Sequence, residues 1–479
     1  MNGFPIIRAG AALMAITLAV ALLWFADGSA RDVRHDTLAP TLLSITFVSM
    51  MVVLALSSVS DRLHFGLQMF AVYFAIYLLL PGYHHATTNV FPFYAMAYSW
   101  RVIRESALII TWFSAMTMVG YVAAHVHAGG GPQLSLRGKP RRVRANLILA
   151  TGLLLVAMAA AAVYLSSVGI AGAFSSRAET VATSGDTTAG GLFRSLPRVI
   201  TFISLLYSIV MLRFSSVPLL GRIYLAFNIP IFLVVNWPPG LARFVLFGYI
   251  LLILVLFGNM RSIVARIGLT AGFVVGALGL MPLVEMFTRG KGSADSLGYG
   301  SLLSRYFETA DFDGLQSVNN AVIYVNEQGL TNGRQLLSVL FFFVPRTIWP
   351  GKGEPTGVIT AEAANFTFLN ISQPLPSEFY VDFGLTGVLI GGLLVGYGLC
   401  RTDLWINRNW TTGPASRLVA GLLVAYSIII YRGALLGIIA TITTLVAGGL
   451  LIVRYGMTPY EKKLRTKVAL RRALLAKAA

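Results

Sequence analysis

The sequence predicts an all-α integral membrane protein of about twelve transmembrane helices, with one large, partly helical extracytoplasmic loop. Three observations predict it. Hydrophobic residues make up 56% of the chain and charged residues only 12%, where a soluble domain carries roughly a quarter charged. Mean hydropathy is +0.74. The apolar residues are also gathered into runs of about 17–22, long enough to cross a hydrocarbon core of about 30 Å as helices. The single cysteine, Cys400, lies inside one such run, which excludes a disulfide framework and a cysteine metal cluster.

In chain order the runs are centred on 9–26, 40–57, 63–80, 105–123, 146–164, 198–212, 218–235, 241–258, 267–284, 384–400, 418–431 and 434–453. The first is too long for the apolar core of a secretion signal and reads as a span. The sixth and eleventh are short. Small-residue spacings at Gly272/Gly276, Gly387/Gly391, Gly392/Gly396 and Gly433/Gly437 are expected to let helix backbones approach closely.

Basic loops set the orientation. Arg137, Lys139, Arg141, Arg142 and Arg144 lie between the fourth and fifth runs, and a Lys/Arg-rich tail follows Arg454. Both belong in the cytoplasm, which puts both termini inside. The acids on that side are then Asp61, Asp403 and Glu461, and the net charge of +18 accumulates there. Topology accounts for the basicity, so no nucleic-acid partner is needed. The tail, 457–479, is expected to form a basic helix with an apolar stripe (Leu464, Val468, Leu475) lying on anionic lipid.

Four outer segments are large enough to matter: 27–40, 81–104, 166–197 and 285–382. The last dominates, and loops of that length are uncommon unless functional. Within it, Leu315–Glu327 has helical spacing of Val318, Val322 and Val325, and Asn332-Gly333 is a turn signal. Leu336–Val344 is apolar but too short to span, so it is expected to be re-entrant or interfacial and to deliver Pro345-Arg346 to the membrane face.

The polar stretch 345–384 then concentrates the chemistry. Prolines 345, 350 and 355 stiffen it, and Gly351 and Gly353 allow close approach. Arg346 presents a planar fork suited to phosphate oxygens, Lys352 a point charge, and Trp349 a flat face for a sugar or lipid head. A rigid loop with an interfacial tryptophan is the alternative. Glu378 and Asp382 are four apart and share a face if helical, with Tyr380 between them. Such a carboxylate can accept a proton from an attacking hydroxyl, or simply suit the positive end of a helix.

Outside that stretch, Arg432 sits in the short connection Tyr431-Arg432-Gly433 between two apolar runs, where a cation needs a partner or an anion unless it snorkels. Arg243, after Asn236-Trp-Pro-Pro-Gly, is similar. Asp311-Phe-Asp313 has a metal-binding spacing, but on the outer side, where nucleotide sugars are absent; nearby Arg305 and Glu308 suggest an ordinary polar network. His84 and His85 are adjacent and do not share a helical face. No nucleophile motif, phosphate-cradling loop or dinucleotide fingerprint is present.

PRTIWPGKGEP after a short apolar run, SEFYVDFGLTGVLIG opening the next span, and YRG before the last one resemble the Wzy-type oligosaccharide repeat-unit polymerases of bacterial surface polysaccharides, the O-antigen and exopolysaccharide polymerases. The specific motifs cover 345–390 and 431–437; elsewhere the match is in layout. Gly353-Glu354-Pro355 departs from the pattern, in which proline follows the lysine directly. The resemblance implies a multi-span, GT-C-like glycosyltransferase of the bacterial inner membrane, with its site facing the periplasm. It would transfer a growing glycan, with inversion, from undecaprenyl pyrophosphate to the hydroxyl of a repeat unit on the same carrier.

On that footing Arg346, Arg432, and Lys352 or Arg243 would hold pyrophosphate, with Trp349 and Tyr380 against the glycan. Glu378 or Asp382 would take the proton or orient the hydroxyl. No cofactor and no obligatory metal are implied, and the partners would be the repeat-unit flippase and a chain-length regulator. The rivals are a ligase using the same donor, a transporter, and an acyltransferase using His84 or His85. Transport fits poorly with spans nearly free of charge at their centres and with no internal repeat.

Overall fold

The computed structural model describes residues 37–93, 97–129, 142–175, 188–241, 243–258, 260, 262–280, 305–369, 371–410 and 414–457. The first apolar run, the basic segment 137–141 and the amphipathic tail lie outside them. The described residues are helical, with no strand beyond an isolated bridge between Val143 and Ser215.

Fourteen helices among the described residues form the frame. In chain order they are α1 (Leu38–Val59), α2 (Phe65–Thr88), α3 (Trp100–His127), α4 (Leu147–Ala173), α5 (Thr188–Phe214), α6 (Pro218–Val235), α7 (Arg243–Phe257) and α8 (Ile263–Val275). There follow α9 (Gly314–Gln328), α10 (Arg334–Leu340), α11 (Thr356–Ala363), α12 (Leu375–Asn409), α13 (Ala415–Arg432) and α14 (Leu435–Leu451). Among the described residues, 9 helices are long and apolar enough to cross a membrane. The runs at 241–258 and 267–284 form the shorter apolar helices α7 and α8.

The chain divides into two compact units. The second holds Arg137–Gly240, Asn409–Ser416 and Thr444–Ala479; within it Asn228 reaches Ser208 at 3.0 Å and Asn236 reaches Thr201 at 3.0 Å, joining α6 to α5. The first holds Met1–Leu136, Leu241–Arg408 and Arg417–Thr443, and with them the site described below.

At the heart of the first unit is α2, buried continuously from Leu63 to Ile76. Its apolar run ends near Leu80, yet the helix continues through Pro81 to Thr88. A π-helical stretch at Tyr73–Leu79 precedes the proline, and the widened turns accommodate a residue that cannot donate to the α-helical ladder. Ser99 starts α3 earlier than hydropathy suggests, its hydroxyl accepting from the Val102 amide.

The glycines of α12 do two different things. Gly392 and Gly396 press α12 against the backbone of α3, where an added Cβ would strike the carbonyls of Phe113 and Thr117. Gly387 and Gly391 instead receive Phe379 of their own helix, because α12 breaks at Gly384 (φ 61, ψ −150) and its first turns lie back over the span. Gly272 and Gly437 face open space and Gly433 packs near Ile429 and Ile438. The Gly387/Gly391 and Gly433/Gly437 spacings therefore do not make the expected helix–helix contact: the glycines there serve a kink and a turn.

Candidate functional site

The candidate site is built where four helix ends meet: the starts of α11, α12 and α14 and the end of α13. Pro355 precedes α11 and Pro376 lies in the first turn of α12, each fixing φ where the missing N–H is not needed. One turn into α12, Glu378 is fully buried. Its Oε2 accepts from the Thr356 hydroxyl at 2.6 Å, and its Oε1 from the Leu435 amide, the first of α14, at 2.6 Å. The donors are neutral, and both helix starts offer positive dipole ends to the carboxylate.

The connections of Glu378 join two motif segments far apart in sequence. Thr356 closes the segment that begins at Arg346, and Leu435 lies three residues beyond Arg432. Gln373 fastens the same corner: its amide donates to the Arg432 carbonyl at 2.9 Å, its Oε1 accepts from Thr360 at 3.0 Å, and its Nε2 donates to Ser377 at 2.7 Å.

Beside this node Arg432 has found an acid. Its Nη2 donates to the Ala310 carbonyl at 2.7 Å and to Asp313 Oδ1 at 3.1 Å. Asp313 is buried, and Ser372 donates to it twice, from its hydroxyl at 2.6 Å and its amide at 3.0 Å. Half of the Asp-x-Asp pair is thus the counter-ion of the arginine. Breaking such a buried pair costs about 3–5 kcal/mol, because the surviving charge stays desolvated.

The remaining sequence-predicted residues are placed as follows. Arg346 is exposed, and its guanidinium donates to the Lys352 carbonyl at 2.8 Å and the Gly353 carbonyl at 2.9 Å, with Glu354 4.0 Å away. Lys352 Nζ donates to the carbonyls of Phe342 at 2.6 Å and Val344 at 2.9 Å; burial, then Arg346, pulls its ammonium below the ordinary lysine value. The amide of Trp349 donates to the Pro345 carbonyl at 3.0 Å. Both cations therefore close their own loop.

Asp382, expected beside Glu378, is turned to another task. It accepts from the Thr331 hydroxyl, from the Gln335 amide at 3.1 Å and from the Leu336 amide at 2.8 Å. It caps α10 from a different helix. Tyr380 donates to Glu105 of α3 at 2.5 Å. Arg243 opens α7, and its side chain lies outside the described residues. His84 contacts Glu308 at 3.3 Å and His85 the Phe307 carbonyl at 3.0 Å.

Sequence reasoning missed Thr356, Gln373, Glu105 and the pairing of Asp313 with Arg432. Only the last had a signal: an arginine between two apolar runs demands an acid, and Asp311 and Asp313 were among those available on the same side. Comparison of the chain with protein-family models, curated proteins and solved structures gives no match.

Proposed function

We propose that the protein joins undecaprenyl-pyrophosphate-linked oligosaccharide repeat units into a surface polysaccharide on the periplasmic face of the bacterial inner membrane. The resemblance of three short segments supports this reading. One structural observation carries it further: Glu378 ties the segment after Arg346 to the segment after Arg432, so the resembling stretches form one corner of the molecule.

In the proposed reaction a hydroxyl of the acceptor repeat unit attacks the anomeric carbon of the donor glycan. The bond from that carbon to the pyrophosphate oxygen breaks, the configuration inverts, and the hydroxyl proton passes to Glu378. The leaving pyrophosphate is already a stable anion, so the protein has chiefly to position and neutralise it. Arg432, aimed by Asp313, and Arg346 supply the charge. For Arg346 this means exchanging the carbonyls of Lys352 and Gly353 for phosphate oxygens. Asp382 acts by holding α10, and Tyr380 and Trp349 border the glycan.

Deleting the gene and examining the surface polysaccharide tests the reading. Carriers or surface acceptors bearing single repeat units are expected. Long chains stranded on undecaprenyl pyrophosphate would indicate a ligase instead, and units trapped on the inner leaflet a flippase.

A further inference from the structure

The segment 337–348, which begins in the second half of α10 and runs on towards the Glu378 corner, combines two properties that do not belong together in water. Its surface is mostly apolar, Arg346 and Thr347 apart: Leu340 is 68% exposed, Phe343 67% and Ile348 75%, with Leu337 and Phe341 also exposed. Much of its backbone bonding is nonetheless internal. The Phe341 amide donates to Leu337, the Val344 amide to Phe341, and the Ile348 and Trp349 amides to Pro345, all at 2.9–3.1 Å. The carbonyls of Phe342 and Val344 take the ammonium of Lys352, and Arg346 bonds the carbonyls of Lys352 and Gly353.

A solvated loop has no need of this, because water bonds to exposed carbonyls freely. In hydrocarbon each unsatisfied backbone group costs several kcal/mol, so irregular backbone survives there only when its polar groups are spoken for. The base of the segment also meets the exposed apolar side chains of α12, a helix long and apolar enough to cross a membrane. Phe383 of α12 packs on Gly333, whose φ of 84° starts α10, and Phe383, Leu385, Ile390 and Leu394 form an exposed apolar stripe down α12. Asp382 fastens the first turn of α10 to the top of that stripe.

We infer that 337–348 is a lipid-inserted knob, seated among the acyl chains of the extracytoplasmic leaflet beside α12. Arg346, inside the segment, and Lys352, four residues beyond it, carry long basic side chains of the kind that reach the headgroup boundary. The knob fixes the depth of the Glu378 corner in the membrane whatever reaction occurs there.

The test uses nitroxide labels on the full chain in liposomes of phosphatidylethanolamine and phosphatidylglycerol, with Cys400→Ala as background. Labels go on Leu340→Cys, Phe343→Cys and Ile348→Cys, and on the exposed polar positions Glu362→Cys and Asn365→Cys as references. The ratio of collisions with oxygen to collisions with a water-soluble nickel chelate is expected to be at least about fivefold higher at the first three. Ratios equal to that at Asn365 would overturn the inference, as would labels shielded from both reagents, which would mean a second copy or another protein covers the knob. Lys352→Ala, which strips two carbonyls of their donor, is expected to bring the Phe343→Cys ratio down towards the reference. An unchanged ratio would refute the part assigned to the lysine. None of these readings requires substrate, so they stand apart from the polymerase proposal.

Discussion

The two ends of α12 solve the same problem with the same residue. Near its end, Asp403 is buried and accepts from the amides of Gly66 at 2.8 Å and Leu67 at 3.3 Å, and from the Tyr121 hydroxyl at 2.9 Å. Near its start, Asp382 is buried and accepts from the amides of Gln335 and Leu336 and from the Thr331 hydroxyl. Each aspartate caps the first turn of another helix with two N–H groups and one hydroxyl. In this fold a buried aspartate on α12 is by default a fastener. Glu378 departs from that pattern: it takes one amide and one hydroxyl, and it stands between the two arginine-bearing segments.

The largest effects should come from the arginines, and they should differ. Arg432→Ala leaves Asp313 buried without its cation, at a cost of about 3–5 kcal/mol, so both polymer and membrane abundance are expected to fall. Arg346→Ala removes a half-exposed side chain and is expected to stop chain growth with abundance unchanged. Immunoblots of membranes beside glycan gels separate the two. Equal abundance in both variants would contradict the structural role given to Arg432.

Next in size are the fasteners themselves. Asp382→Asn and Asp403→Asn each put an amide NH2 where a carboxyl oxygen accepts from a three-donor site, and each is expected to destabilise the protein by about 1–3 kcal/mol, read as a lower melting midpoint in detergent. A stable Asp382→Asn variant that makes no polymer would break the parallel and return Asp382 to the chemistry.

An effect of similar size, confined to acid pH, concerns His64, at the turn before α2. The Tyr121 hydroxyl donates to Asp403, so its oxygen accepts from His64 Nδ1 at 2.8 Å, and Nε2 accepts from Ser60 at 3.1 Å. Burial, with His125, Arg62 and Arg266 adding to it, pushes the imidazole down to about 3. The folded state therefore holds fewer protons than the unfolded chain below the ordinary value near 6.5. Stability is complete above that pH and declines as pH falls towards 3, by about 2 kcal/mol at pH 5. His64→Asn is expected to flatten that acid limb in melting measurements at pH 7.5 and 5.

The membrane helices were largely legible, because a run of apolar residues is decided by its own composition. Their ends were not. Ser99, Pro81 and Gly384 set where α3 begins and how α2 and α12 continue, through a cap, a π-helical stretch and a kink that hydropathy does not register. Within the loop, Leu315–Glu327 and the Asn332-Gly333 turn were readable from local spacing and appear as α9 and a left-handed turn. Glu378 and Asp382 were found together, since their spacing puts them on one face. What told them apart was long-range: Thr356 and Leu435 for one, Thr331 and the start of α10 for the other. No local pattern announces partners more than 20 residues away.

The account turns on Glu378 acting as a base and not as a third fastener. Glu378→Gln keeps the shape of the side chain and an oxygen for the Leu435 amide while removing the group that accepts a proton. Assayed with lipid-linked repeat units in proteoliposomes, it is expected to reduce chain growth at least about 100-fold, with membrane abundance and melting midpoint close to those of the parent. Chains of normal length from Glu378→Gln would contradict the account.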